Sequence, residues 1–154
     1  MYIVSLKLDL KKILSVIAVC CIAFAVIIAA LPARSSDVLK NNSNKTAKST
    51  SDHVLFLKEY GYEVLQKPVQ IQEIIIPDDF SSDYEKYNEL QKISGFDLSG
   101  YKGCRVKKYT YKVLNYTDCE DEVVANVIIY NDRIVGGDIS STVLGGFVHG
   151  FVKE

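Results

Sequence analysis

Residues 13–31 read ILSVIAVCCIAFAVIIAAL, a run with no charge and with Ser15 as its only hydroxyl. A helix of that length rises roughly 28 Å, close to the hydrocarbon thickness of a bilayer. In lipid a helix also satisfies its own backbone polar groups. A cleaved signal peptide has a shorter apolar core, about 7–15 residues, followed by a small-residue cleavage site. Here Leu31 occupies the position three residues before the end of Leu31-Pro32-Ala33, where a small residue is needed. The run therefore predicts an uncleaved membrane anchor. Cys20 and Cys21 sit inside it, with ten more apolar residues after them, and so lack the surroundings of a lipid-modified cysteine. Lys7, Lys11 and Lys12 precede the span closely, and only Arg34 follows it at a comparable distance. The excess of positive charge predicts a cytoplasmic tail at 1–12 and an extracytoplasmic remainder.

The chain after the span divides by composition. Residues 32–51 form a stalk rich in Ser, Asn, Lys and Thr, with almost nothing to bury. Such a stretch is expected to be disordered and to reach roughly 25 Å as a flexible coil. Residues 52–154 carry eleven basic and seventeen acidic side chains. With a net charge of −1 for the whole chain, a dedicated nucleic-acid binder is excluded on electrostatic grounds. The total of 154 residues leaves room for one modest domain beyond the stalk.

That domain begins with a short helix, in which Asp52 is placed to cap and Gly61 to terminate. Residues 64–76 alternate in part and end in Ile74-Ile75-Ile76 before Pro77, which predicts a strand. Ser82-Asp83-Tyr84-Glu85 has the form of a capping box, and Tyr84, Tyr87, Leu90 and Ile93 make an apolar stripe for a second helix, closed by Gly95. Three strands follow. In the first, Tyr109, Tyr111 and Val113 share one face and Lys108, Thr110 and Lys112 the other. Residues 123–130 are the most apolar. Asn131-Asp132 signals a two-residue turn into residues 134–142, where Gly136-Gly137 suggests a bulge. The expected fold is α+β: a transmembrane helix, then two helices packed on one face of a four-stranded, mainly antiparallel sheet.

Few residues carry the pattern of a chemical site. His149, between glycines in GGFVHGF, is placed to be an exposed base or ligand, or to anchor the chain end by hydrogen bonds. Ser140, Ser141 and Asp138 are near it in sequence, without a nucleophile elbow. Asp78, Asp79, Asp83 and Glu85 suit a helix N-terminus, and Asp118, Glu120, Asp121 and Glu122 suit a solvated turn. Neither group has a calcium-loop pattern, so no metal and no cofactor is expected. Cys104 and Cys119 begin and end one strand, some 40–50 Å apart if it is straight, so they are expected to be free thiols. The tyrosines, Tyr109 and Tyr111 among them, suit either a small core with wet hydroxyls or a binding surface.

The stretches FLKEYGYEV, VQIQEIIIP, YNELQKISGFDLSGYKG, VKKYTYKVLNY and RIVGGDISSTVLGGFVHGF, in this order and spacing, resemble the bacterial domain-of-unknown-function family 4830. Tyr62 departs from that pattern, in which a Trp is expected. The resemblance implies a single-pass membrane protein with an extracytoplasmic α+β domain, and implies no activity. The functional expectation is a non-enzymatic binding or regulatory module at the cell envelope. Its partners would be the bilayer, through residues 13–31, and an envelope protein or peptide, with ligand candidates at His149, Tyr109 and Tyr111. Two alternatives stand beside it: a tethered hydrolase centred on His149, and a peptidase-inhibitor-like module.

Overall fold

The computed structural model describes residues 45–152. The expected tail at 1–12, the apolar run at 13–31 and the stalk as far as residue 44 lie outside them. Among the described residues no helix is long and apolar enough to cross a membrane.

The elements run α1 (Thr50–Glu59), β1 (Gln70–Ile75), α2 (Ser82–Ile93), a 3₁₀ turn (Leu98–Tyr101), β2 (Arg105–Lys112), β3 (Val123–Tyr130), β4 (Arg133–Ser141) and β5 (Val148–His149). The strands form one antiparallel sheet in sequential order. The sheet thus has five strands rather than four. Two-residue β5 is too short to leave an alternation signal in the sequence, and it is held by pairing Ile139 with His149 and Ser140 with Val148.

The helices cover opposite faces of the sheet, not one. Side chains alternate along a strand. Tyr111, Ala125, Val127 and Ile139 point to a core that contains Phe56 and Leu57 of α1, together with Phe96 and Phe151. Val106, Ile128 and Val135 point the other way, to a core with Ile76 and Leu98, flanked by Tyr84 and Tyr87 of α2. Central β3 is consequently buried along both faces, with only Tyr130 partly open. This explains why VVANVII is an almost continuous apolar run instead of an alternating one.

Local chemistry sets the ends of the elements. Ser49, not Asp52, is the N-cap of α1. Its side chain accepts from the Asp52 N–H while the Asp52 carboxylate accepts from the Ser49 N–H, a reciprocal box. Ser81 caps α2 one residue earlier than the sequence pattern suggests. Gly61 and Gly95 follow the two helices with φ of 89° and 82°, the left-handed conformation that glycine adopts without a Cβ penalty. Asn131 and Asp132 both have positive φ, as the tight β3–β4 hairpin demands. The expected bulge is present beside the glycines: Ile128 pairs with Gly136 and Ile129 with Ile134, so Val135 is the extra residue.

The outer edge of β4 is covered piece by piece. Ala47 N–H donates to Asp132 O at 2.7 Å, and Lys45 O accepts from Ile134 N–H at 3.3 Å. In the middle, Gly137 N–H donates to the side-chain oxygen of Gln91 at 2.7 Å. Farther along, Ser141 N–H donates to Phe147 O at 3.1 Å. Folded structure therefore starts by Lys45, inside the stretch that composition assigns to the stalk, and Ala47 is buried.

Candidate functional site

Two of the sequence candidates lie under α1. Tyr111 is fully buried, and its hydroxyl is 2.8 Å from His53 Nδ1. His53 Nε2 is 3.3 Å from Ala47 O. A carbonyl only accepts, so Nε2 carries the hydrogen and Nδ1 accepts from the Tyr111 hydroxyl. Burial lowers the His53 pKa and raises that of Tyr111. Tyr109 is half-buried and meets the His53 ring edge-on at 4.6 Å. Sequence patterning placed Tyr109 and Tyr111 on one face, as they are, but did not single out His53. This group ties the Lys45–Ala47 segment, α1 and β2 together, and leaves Tyr111 no surface to offer a ligand.

His149 is in β5, at the other end of the same face. Its Nδ1 donates to Gly150 O at 2.6 Å, so Nε2 accepts from the Tyr116 hydroxyl at 3.2 Å. The His149 ring stacks on Phe147 at 5.4 Å, and Phe147 stacks on Tyr116 at 5.1 Å. All three rings are half-buried. Burial raises the Tyr116 pKa, so its hydroxyl stays protonated as a donor. Tyr116 also borders a cleft of about 210 Å³, shared with Tyr60, Tyr62, Asn115, Thr117 and Asp118. There burial, and then the neighbouring Tyr116, push the Tyr62 pKa up to about 12. Beside the ring stack, the turn between β4 and β5 holds out Val143 and a fully exposed Leu144.

The groups needed for a hydrolytic triad do not converge here. Asp138 and Ser140 flank Ile139, whose side chain shares the face of His149, so they turn to the opposite face. There they join a polar ladder that sequence reading missed. Thr110 Oγ1 donates to Asn126 Oδ1 at 2.8 Å, and Asn126 Nδ2 donates to Asp138 Oδ1 at 2.8 Å and to Ser140 Oγ at 3.3 Å. The Tyr87 hydroxyl completes it by donating to Asp138 Oδ2 at 2.8 Å. Asn126 and Asp138 face each other across β3 and β4. The available signal was a polar residue at an equivalent position in each of three adjacent strands, which only the strand register can align.

The acidic groups separate. Asp83 pairs with Lys86 at 3.3 Å and Glu122 with Lys112 at 2.6 Å. Among the described residues no cluster of His, Cys, Asp and Glu is arranged to hold a metal ion. Cys104 and Cys119 are free thiols. Along α2 lies an open groove of about 780 Å³, lined by Phe80, Glu85, Lys86, Glu89, Lys92 and Lys102 among others. Its charges are of mixed sign, and the Lys102 ammonium sits over the Phe80 ring at 4.6 Å.

The profile of the family described as Domain of unknown function (DUF4830) matches residues 56–139, more than half of the chain. The chain belongs to this family. The DUF4830 match runs from Phe56 in α1 to Ile139 in β4, so it contains Tyr116 and the polar ladder except Ser140. Phe147 and His149 lie beyond it. Comparison with curated proteins and with solved structures found no match.

Proposed function

We propose that this α+β domain is a non-enzymatic binding or regulatory module, held at the outer side of the cytoplasmic membrane by residues 13–31. The observation that carries the binding reading is the Tyr116–Phe147–His149 stack beside the exposed Val143 and Leu144. Aromatic side chains flanked by exposed aliphatics favour a protein or peptide partner, because they bury large area at little cost in side-chain freedom. The separation of His149 from Asp138 and Ser140 favours this reading over a hydrolase. For the membrane part, the support is the length and flanking charge of the apolar run.

The test is site-specific photo-crosslinking in intact cells. A photoreactive residue at Leu144 is expected to give one discrete adduct, weakened by Tyr116→Ala. The same residue at Lys86, on α2, serves as the reference. Equal labelling from both positions, or none from Leu144, would overturn the assignment of the surface. Protease added to cells with a permeabilised outer barrier should degrade residues 45–152 while sparing the N-terminal tail. Protection of the domain would overturn the assigned side of the membrane.

A further inference from the structure

Among the described residues β1 is an edge strand, paired with β2 alone. Its hydrogen-bonding phase follows from the flanking bonds. Ile76 N–H donates to Cys104 O, and Val113 N–H donates to Val123 O. The even-numbered residues of β1 therefore point their backbone groups at β2, and Ile71, Glu73 and Ile75 point theirs outward. Among the described residues nothing pairs with these outward N–H and C=O groups. The side chains of the same three residues share one face. Ile71 and Ile75 remain 56% and 60% exposed on it. Natural domains usually blunt an edge of this kind.

The edge is self-complementary. Ile71-Gln72-Glu73-Ile74-Ile75 is symmetric about Glu73 in its outward residues. A two-fold interface must present the same patch twice, with residue i meeting j and j meeting i. Antiparallel pairing with Glu73 on the axis sets Ile71 against Ile75 of the second copy, and the reverse. All three outward residues then fall at hydrogen-bonded positions. Two carboxylates facing each other on the axis would oppose this. Each is already flanked by cations of its own chain: Arg105 Nη1 lies 3.4 Å from Glu73 Oε2, and Lys107 is directly opposite in β2. The axis would gather two carboxylates among four cations.

We infer that β1 is a homodimerisation edge, through which two copies join their sheets by antiparallel β1–β1 pairing centred on Glu73. The inference goes beyond the binding surface at Tyr116 and His149, and uses none of its residues. A second copy is favoured over an unrelated strand because the I-x-E-x-I pattern matches itself in both apolar content and backbone phase.

The test uses the full-length chain in mild detergent, with Cys20, Cys21, Cys104 and Cys119 replaced by Ala. Glu73→Cys places two thiols on the axis, at Cα atoms about 5.5 Å apart, within disulfide range. Gln72→Cys places them on the other face and about two residues out of register, beyond that range. Mild oxidation is expected to give roughly tenfold more disulfide dimer from Glu73→Cys than from Gln72→Cys. Adding Ile71→Lys should abolish the difference, while circular dichroism shows the domain still folded. Self-association through the apolar N-terminal run would cross-link both positions equally and would survive Ile71→Lys. That result, or adducts at residue 73 only to other polypeptides in intact cells, would overturn the inference.

Discussion

The Tyr87 hydroxyl donates to the Asp138 carboxylate at 2.8 Å, across the contact between α2 and β4. Among the described residues no cation is bonded to this buried carboxylate; its partners are neutral donors, Tyr87 and Asn126. Burial, and then the Asp138 charge, push the Tyr87 pKa well up, so the phenol stays a donor throughout the working pH range. Tyr87→Phe keeps the ring packing and removes one donor from a buried charge. We expect a loss of about 1–3 kcal/mol in unfolding free energy, read by urea denaturation. Tyr87→Phe combined with Asp138→Asn should cost less than the two single losses added together, since the orphaned charge is then gone. Strict additivity would show that the two groups do not act as a pair.

Gly137 tests how closely β4 is packed. Its φ is 155°, and a Cβ there would overlap both the Asn126 carbonyl oxygen and the Phe151 ring. Neither neighbour can move freely, because Asn126 is in central β3 and Phe151 is in the core. Gly137→Ala should cost at least the roughly 1–3 kcal/mol of backbone strain, with the overlap in addition. Gly61→Ala meets no neighbour and should cost only the conformational part. Thermal melts of the two variants should therefore separate clearly, with Gly137→Ala the lower.

The parts of this fold that were legible in the sequence are those set by short-range chemistry. The Tyr109/Tyr111 alternation, the Asn131-Asp132 turn and the bulge beside Gly136-Gly137 each follow from two or three neighbouring residues. The placement of α1 and α2 on opposite faces does not. It depends on which face of β3 each helix meets, and a β3 that is apolar on both faces gives no preference. Likewise Thr110, Asn126 and Asp138 read as scattered polar residues until the register aligns them. Composition placed residues 45–51 in the stalk because Lys45 and Thr46 contribute backbone groups, not apolar area, to the fold. At the candidate site, His149 stands out in the sequence, but its contact with Tyr116 depends on the pairing of β5 with β4.

The reciprocal cap on α1 bears on where the folded domain begins. Ser49 and Asp52 each satisfy a backbone N–H of the other, and backbone and side-chain bonds to Ser49 lower the Asp52 pKa. Ser49→Ala should cost about 0.5–2 kcal/mol. It should also raise amide exchange in the first turn of α1 and at Ala47 before it does so in the sheet. Uniform exchange across the domain would show that α1 and the sheet open as one unit.

His53 makes the same region sensitive to pH. It is 2% exposed, bonded to Tyr111 and to Ala47 O, and burial lowers its pKa, against a smaller raising effect of the Ala47 bond and the Asp52 charge. Asp52, Tyr109 and Tyr111 are the titratable groups that interact with it. With the folded pKa below the unfolded one, the unfolded chain binds more protons as the solution is acidified. The stabilising contribution is therefore complete above an unfolded value of about 6.5, and is lost as pH falls from there through the lowered folded value. Unfolding free energy measured between pH 8 and pH 5 should fall in that window, and more steeply than in a His53→Gln variant, which can keep the bond to Ala47 O without titrating. Exchange at Ala47 and Ile134, whose bonds hold the Lys45–Ala47 segment to β4, should rise first. A pH profile unchanged by His53→Gln would mean that the carboxylates set the acid limb, and that His53 acts only through packing.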